Sequence, residues 1–392
     1  MRKCDYCGLN KKVLTKIDNS YICDDCKEIV NKECQITVNK EKINPKKIIK
    51  PVEIKKMLDK YIVKQDEAKI VLSSEIYNHL KRTYITELSN NDKTNIMLTG
   101  PSGCGKTYLV QTIANILDIP MITVSATEFT AAGYVGKSVD SIGKWMLDAA
   151  DGDIEKAERG IVFIDEIDKI ACKNANGAMA SGSKDVGGLE VQKELLRIIE
   201  GTELKLGDDD IFDFDDYSSI NTKNMLFIFS GAFEELDKII DIDKEKTIKF
   251  NNDDEDIIID NKDIILSDKL IKYGFLKEFI GRIPIITKVE NLTEDDLVEI
   301  MTKKENNIIS QYQRMFASDD IELNFKKSAI SYIARIAIKT NLGARGLKSI
   351  ISVLMNKLIY LNSSTNKSTI TVTVSLIDEL LNIKKANKQG QK

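Results

Sequence analysis

Ile96-Met97-Leu98-Thr99-Gly100-Pro101-Ser102-Gly103-Cys104-Gly105-Lys106-Thr107 decides the fold. An apolar run that turns into a glycine-rich loop ending in Lys-Thr reads as a strand, a phosphate-binding loop and the start of a helix. Its glycines let backbone N–H groups close around phosphates at a helix N-terminus. Lys106 is placed to contact the β- and γ-phosphates of ATP, and Thr107 to ligate Mg²⁺. Gly100, Pro101, Ser102, Gly103, Cys104, Gly105, Lys106, Thr107 and Tyr108 are therefore the candidate nucleotide-binding residues. The run Ile161-Val162-Phe163-Ile164-Asp165-Glu166 supplies the matching acidic strand, apolar enough to be buried on both faces. Asp165 is expected to join Thr107 around the metal, and Glu166 to polarise the attacking water. A hydrolysing ATPase is the predicted chemistry.

Outward from that loop, short apolar runs alternate with helical patterns. Strands are expected at 96–99, 121–124, 161–164 and 225–229, and the alternation favours a parallel α/β sheet. Upstream, Pro51 opens a helix with Ile54, Met57, Leu58 and Tyr61 on one face. A second helix carries Ala68, Val71, Leu72, Ile76 and Leu80. After Asn291 the character changes: Thr293 N-caps a long helix running through Leu297, Ile300 and Ile308, with Asp295 and Asp296 in its first turn. Strands at 321–325 and 369–374 and further helices complete a small, mainly helical α+β domain. The expected division is a zinc-binding domain at 1–38, a linker at 39–50, a large α/β ATPase domain at 51–289, a small domain at 290–384 and a flexible tail at 385–392.

Composition narrows the partners. The 392 residues hold 57 Lys plus Arg against 61 Asp plus Glu, a net charge of -4, which is no global footprint for nucleic acid or an anionic membrane. No apolar signal core follows Met1, and no apolar run approaches membrane-spanning length, so a cytoplasmic protein is expected. Of seven cysteines, Cys4 and Cys7 pair with Cys23 and Cys26 in the spacing of a four-thiolate Zn²⁺ site. So small a segment draws its folding energy from such a metal. His79, the single histidine, reads as structural.

Between the phosphate loop and the acidic strand lies Gly133-Tyr134-Val135-Gly136, an aromatic tip between flexible glycines. Together these motifs resemble the ClpX family of zinc-bearing AAA+ unfoldases over nearly the whole chain. Tyr61-Ile62-Val63-Lys64-Gln65 matches the family's adenine-contacting segment, with Lys64 in place of the usual glycine. Glu278-Phe279-Ile280-Gly281-Arg282-Ile283-Pro284 matches its arginine-finger segment, and Gly343-Ala344-Arg345-Gly346-Leu347 its second sensor. The resemblance implies an AAA+ P-loop NTPase fold, ATP with Mg²⁺, Ile62 and Val63 at the adenine, and Arg345 on the phosphates. It further implies Arg282 reaching a neighbour's ATP in a homo-hexamer, and Tyr134 and Val135 gripping unfolded or tagged protein in its pore, with no protease active site in this chain.

Two stretches depart from the family. Where it has a basic loop, residues 207–216 carry six aspartates and no base, which predicts a preference for basic or internal tags. Where it docks a ClpP-type protease through Ile-Gly-Phe, the stretch 245–263 offers Ile248-Lys249-Phe250, an altered hook. Residues 174–188 are expected to form a flexible second pore loop, and Ser230 is a candidate first sensor. The rival reading is a nucleic-acid-remodelling AAA+ ATPase with a zinc DNA-binding module; the aromatic loop, the acidic entrance and the net charge favour polypeptide and no nucleic acid.

Overall fold

Period-two alternation splits the strands between two apolar layers. In the computed structural model, β1 (Ile96–Thr99), β2 (Met121–Ser125), β3 (Ile161–Asp165), β4 (Leu226–Gly231) and β5 (Ile285–Lys288) form one parallel sheet in the order β5-β1-β4-β3-β2. Ile96, Leu98, Ile161, Phe163, Leu226 and Ile228 enter one core, while Met97, Val162, Ile164, Phe227, Phe229 and Ile286 enter the other. With both faces buried, the strands read as continuous apolar runs. Each fully buried Phe or Ile contributes roughly 1.5–3 kcal/mol. The structure describes residues 2–3, 10–11, 15–17, 20–22, 48–85, 88, 91–129, 137–172, 186–206, 219–234, 236, 262–305, 307–340, 342–365 and 368–383.

Helices cover both layers. On the first lie α1 (Pro51–Tyr61), α2 (Asp66–Tyr84) and α3 (Lys106–Leu117), which bury Ile54, Leu58, Leu72, Ile76, Leu109 and Ile113. Pro51 occupies the first turn of α1, as expected of a residue without an N–H to satisfy. The second layer is covered by α4 (Ser141–Ala149), α5 (Val186–Glu200), α6 (Lys262–Tyr273) and α7 (Lys277–Gly281). One strand here was not expected, and one helix starts within an expected loop. The edge strand β5 carries only a short apolar run directly behind Pro284, a pattern too brief to separate from a turn until β1 supplies its partner. Residues 186–188, expected in a loop, begin α5 instead; Gly188 packs so closely that a Cβ there would lie 2.7 Å from the Ile170 carbonyl.

A third core belongs to α8 (Glu294–Thr302), α9 (Ile308–Ala317), β6 (Glu322–Phe325), α10 (Lys327–Lys339), α11 (Gly343–Thr365), β7 (Thr369–Val372) and α12 (Val374–Leu380). Leu297, Phe316, Ile333, Ile351, Leu354 and Ile377 fill it, and β6 and β7 pair in parallel. Thr293 does cap α8 through a capping box with Asp296. The single long helix is nevertheless two. The first stops at Thr302, and Asn307 caps the second by accepting the Ser310 N–H at 2.9 Å. Likewise β7 ends at Val372, because the Thr373 hydroxyl caps α12 and draws Val374 into the helix.

Residues 1–48 and 49–392 are separate units. In the first, Arg2–Lys3 pairs with Asn10–Lys11, and Thr15–Ile17 with Ser20–Ile22, both antiparallel. Cys4, Cys7, Cys23 and Cys26 lie outside the described residues. Among the described residues no helix is long and apolar enough to cross a membrane.

Candidate active site

The phosphate loop leaves the C-terminal end of β1 in a conformation that glycine makes possible. Gly100, Gly103 and Gly105 have φ of 149°, 78° and 97°, backbone that L side chains rarely adopt. At Gly100 and Gly103 close approach adds a second reason: a Cβ would lie 2.2 Å from the carbonyl oxygens of Val289 and Leu342, respectively. Gly105 has open space and caps α3. Lys106, the first residue of α3, is buried, and its ammonium donates to the Gly100 and Pro101 carbonyls at 2.6 and 2.9 Å. Cys104 donates its thiol to the Pro101 carbonyl, and burial pushes that thiol upward from its ordinary value. Ile62 is buried in the same apolar cluster as Cys104 and Leu109, beside buried Val63, whereas Tyr108 is exposed.

β3 delivers the acidic pair to this loop. The Thr107 hydroxyl donates to Asp165 Oδ2 at 3.2 Å, so the two oxygen donors expected at a divalent cation are already adjacent. A hydroxyl beside a carboxylate is the hard-oxygen set that Mg²⁺ takes, and these residues fit it. Asp165 Oδ1 also accepts the Glu166 N–H at 2.9 Å. Glu166 stands just past the strand with φ 57°, which turns its carboxylate out of the sheet. Ser125, the last residue of β2 and the register partner of Asp165, donates to Glu166 Oε2 at 2.9 Å. Sequence reasoning missed Ser125. Its one signal is a serine ending an expected strand, and the β2–β3 pairing gives that signal meaning. Removing one hydrogen bond to an exposed carboxylate costs about 1 kcal/mol of orientation. Ser125→Ala is therefore expected to lower ATP turnover about fivefold with nucleotide affinity unchanged, read by steady-state hydrolysis and nucleotide titration.

The second-sensor segment also reaches the loop. The Ala344 N–H at the start of α11 donates to the Gly103 carbonyl at 2.9 Å, and Arg345 Nη1 lies 3.5 Å from Ser102 Oγ. A helix N-terminus, with its partial positive charge, thus rests on the segment read as an anion cradle. Lys64 keeps the left-handed backbone (φ 57°) that the usual glycine would supply. Its ammonium pairs with Glu290 at 2.8 Å and donates to the Asn291 carbonyl at 3.0 Å. Gln65 adds an amide brace, donating to the Glu290 carbonyl and accepting its N–H at 2.8 and 2.7 Å. This segment is therefore tied to the junction that precedes α8.

Arg282 is not brought to this site. It precedes β5, whose Ile285 pairs with Ile96 at the start of β1, whereas the phosphate loop follows the other end of β1. A four-residue strand of ~13 Å separates the two ends. Arg282 is exposed and donates to Glu200, with Nε at 3.0 Å and Nη2 at 2.8 Å from Oε1. Ser230 is buried in β4 beside Leu98, its hydroxyl without a hydrogen-bond partner among the described residues. Tyr134, Val135, residues 207–216 and the Ile248-Lys249-Phe250 stretch lie outside the described residues.

Residues 91–286 match the model of the AAA domain (Cdc48 subfamily), and residues 292–374 that of the C-terminal, D2-small domain, of ClpB protein. Two curated relatives bear the description ATP-dependent Clp protease ATP-binding subunit ClpX. The one from Bacteroides thetaiotaomicron is 37% identical over 406 residues, covering 98% of this chain and 97% of the relative. The chain belongs to the ClpX family. A second ClpX, from Porphyromonas gingivalis, is 36% identical over 398 residues and is covered to 96%, with 97% of this chain. Membership makes the chain an ATP hydrolase of AAA+ fold, in accord with the phosphate loop, acidic strand and small-domain helix that meet at this site.

Proposed function

We propose that this chain is an ATP-driven protein unfoldase and translocase that assembles into a homo-hexamer and threads unfolded or tagged polypeptide through its pore. It acts as the specificity subunit of a Clp-type protease or as a stand-alone chaperone. The observation that carries the reading is the placement of the polar and charged groups. Lys106, Thr107, Asp165, Glu166 and Arg345 gather at one end of the sheet, and Arg282 stands at the other. A cation on the far end serves a neighbouring copy's nucleotide better than its own, which makes hydrolysis depend on assembly.

In this reading the loop amides and Lys106 hold the ATP phosphates, and Thr107 and Asp165 hold Mg²⁺. When bound there, Mg²⁺ would neutralise charge on the transferring phosphoryl group. Glu166 draws a proton from the attacking water and is held for that by Ser125. Arg345 reports the state of the phosphates to the small domain through α11, while Ile62, Val63 and Tyr108 border the base. The division at 1–38, 51–289 and 290–384 assigns zinc to Cys4, Cys7, Cys23 and Cys26, the engine to the middle segment and the lever to the last. Lys249 in the docking stretch weakens attachment to a ClpP-type protease, since it puts a charge where an apolar hook is needed.

Tyr134→Ala tests the grip. Unfolding of a tagged substrate is expected to fall more than about tenfold, because a large amphipathic contact is lost while ATP hydrolysis stays within about twofold. Wild-type unfolding by that variant would overturn the translocation reading, and stimulation of hydrolysis by DNA but not by unfolded protein would favour a nucleic-acid motor.

A further inference from the structure

Below the starts of the strands, opposite the phosphate loop, lies a cavity of about 330 Å³ between α2, residues 91–94 and Leu226. Arg82 and Lys93 line it, and both also line an adjoining cavity of about 340 Å³ that reaches Arg282. The Arg82 guanidinium is buried and donates to the Asn224 side-chain and main-chain oxygens at 2.9 and 3.1 Å. Lys93 donates to the Thr222 carbonyl at 3.0 Å and lies 4.7 Å from the Phe227 ring centroid. His79, 3.5 Å from Arg82 Nη2, is pushed down to about 4 by burial and is neutral at pH 7. All these partners are uncharged. Glu75 and Asp92 line the first cavity, yet among the described residues neither forms an ion pair with Arg82 or Lys93. The Glu75 carboxylate is engaged by Thr94 and Asn78, and burial raises it from its ordinary value.

Two neighbouring cations that no described carboxylate pairs with are costly where water is partly excluded. Burial, reinforced by the Arg82 charge, lowers the Lys93 ammonium to about 7, and burial lowers the Arg82 guanidinium as well. An anion between them removes that cost, and a guanidinium fork beside an ammonium matches the oxygens of a tetrahedral oxyanion. We propose that this cavity binds an inorganic phosphate-sized oxyanion between the Arg82 guanidinium and the Lys93 ammonium. The site is separate from the phosphate loop, since Lys93 precedes β1 and the loop follows it. Through the adjoining cavity it opens on Arg282 and its partner Glu200. Any influence on a neighbouring copy's hydrolysis rests on the reading of Arg282 given above; the binding itself does not.

Amine acetylation of the full chain tests the site. The phosphate loop is first filled with a non-hydrolysable ATP analogue and Mg²⁺, and inorganic phosphate is then added at millimolar concentration near neutral pH. Site-resolved mass spectrometry is expected to show labelling of Lys93 slowed about fivefold by phosphate, because a bound anion favours the charged amine. Labelling of Lys106 should respond to the analogue and not to the added phosphate. In Arg82→Gln the phosphate effect at Lys93 should vanish, while protection of Lys106 by the analogue reports an intact fold. Three results would overturn the proposal: no phosphate effect at Lys93, protection of Lys93 by the analogue alone, or a phosphate effect that survives in Arg82→Gln. Analogue-only protection would mean burial in an assembly or a neighbour's nucleotide in place of a free oxyanion. None of the three depends on the unfoldase reading, which stands or falls with Tyr134→Ala.

Discussion

Glu166→Gln is expected to bind ATP with near wild-type affinity and to hydrolyse it about 10²- to 10⁴-fold more slowly, the range a positioned general base supplies. That corresponds to roughly 3–5 kcal/mol of transition-state stabilisation. The substitution keeps the shape and the acceptor that Ser125 contacts, so the hydrogen bond to Ser125 Oγ is preserved in outline. What changes is basicity: an amide oxygen cannot accept the proton that water must give up. Asp165, at the neighbouring position, already receives Thr107 Oγ1 and the Glu166 N–H, so its carboxylate is held toward the phosphate loop and is poorly placed to take over the role proposed for Glu166. Turnover within tenfold of wild type, measured at saturating ATP, would remove Glu166 from this role.

Gly103→Ala is the second large effect, and it acts on the junction between the large and small cores. Its Cβ would sit 2.2 Å from the Leu342 carbonyl oxygen and 2.9 Å from the carbon. Both are backbone atoms, so no rotamer relieves the clash, and φ of 78° adds ~1–2 kcal/mol for any L side chain. The nearest relief is to lift the start of α11, which breaks the Ala344 N–H to Gly103 O bond and withdraws Arg345 from Ser102. ATP turnover is expected to fall more than about tenfold, since a cationic clamp on transferring phosphate is worth at least that. Gly105→Ala separates the causes: it shares the left-handed backbone (φ 97°) but has no neighbour within 4 Å. Thermal unfolding should show Gly103→Ala displaced further than Gly105→Ala by about 2–4 °C per additional kcal/mol. Equal shifts would mean that packing against Leu342 contributes nothing.

The engine was legible in the sequence because its parts are contiguous. A phosphate loop needs its glycines, Lys106 and Thr107 in a fixed local order, and the acidic pair must end a buried strand. Both therefore leave a linear signature, and the Thr107–Asp165 bond joins them as read. The capping box at Thr293 and Pro51 at the head of α1 are local for the same reason. The errors fall where a distant partner decides. β5 becomes a strand by pairing with β1, 189 residues away from Ile96 to Ile285, and at the break before α9 the Lys304 ammonium and the Glu305 N–H donate to the Asp59 and Lys60 carbonyls of α1.

By itself, then, the sequence determined an α/β ATPase, its nucleotide loop, its acidic pair and the ClpX-type order of its motifs. Each is encoded by side-chain period or by neighbours a few positions apart. Only the tertiary structure decided that Ser125 holds Glu166 and that α11 rests on Gly103. It also decided that Arg282 faces away from its own loop, and that Arg82 and Lys93 share a cavity in which no described carboxylate pairs with either. Those relations arise from strand order and helix docking, which bring residues far apart in the chain within hydrogen-bonding or Coulomb range, and no local pattern records them.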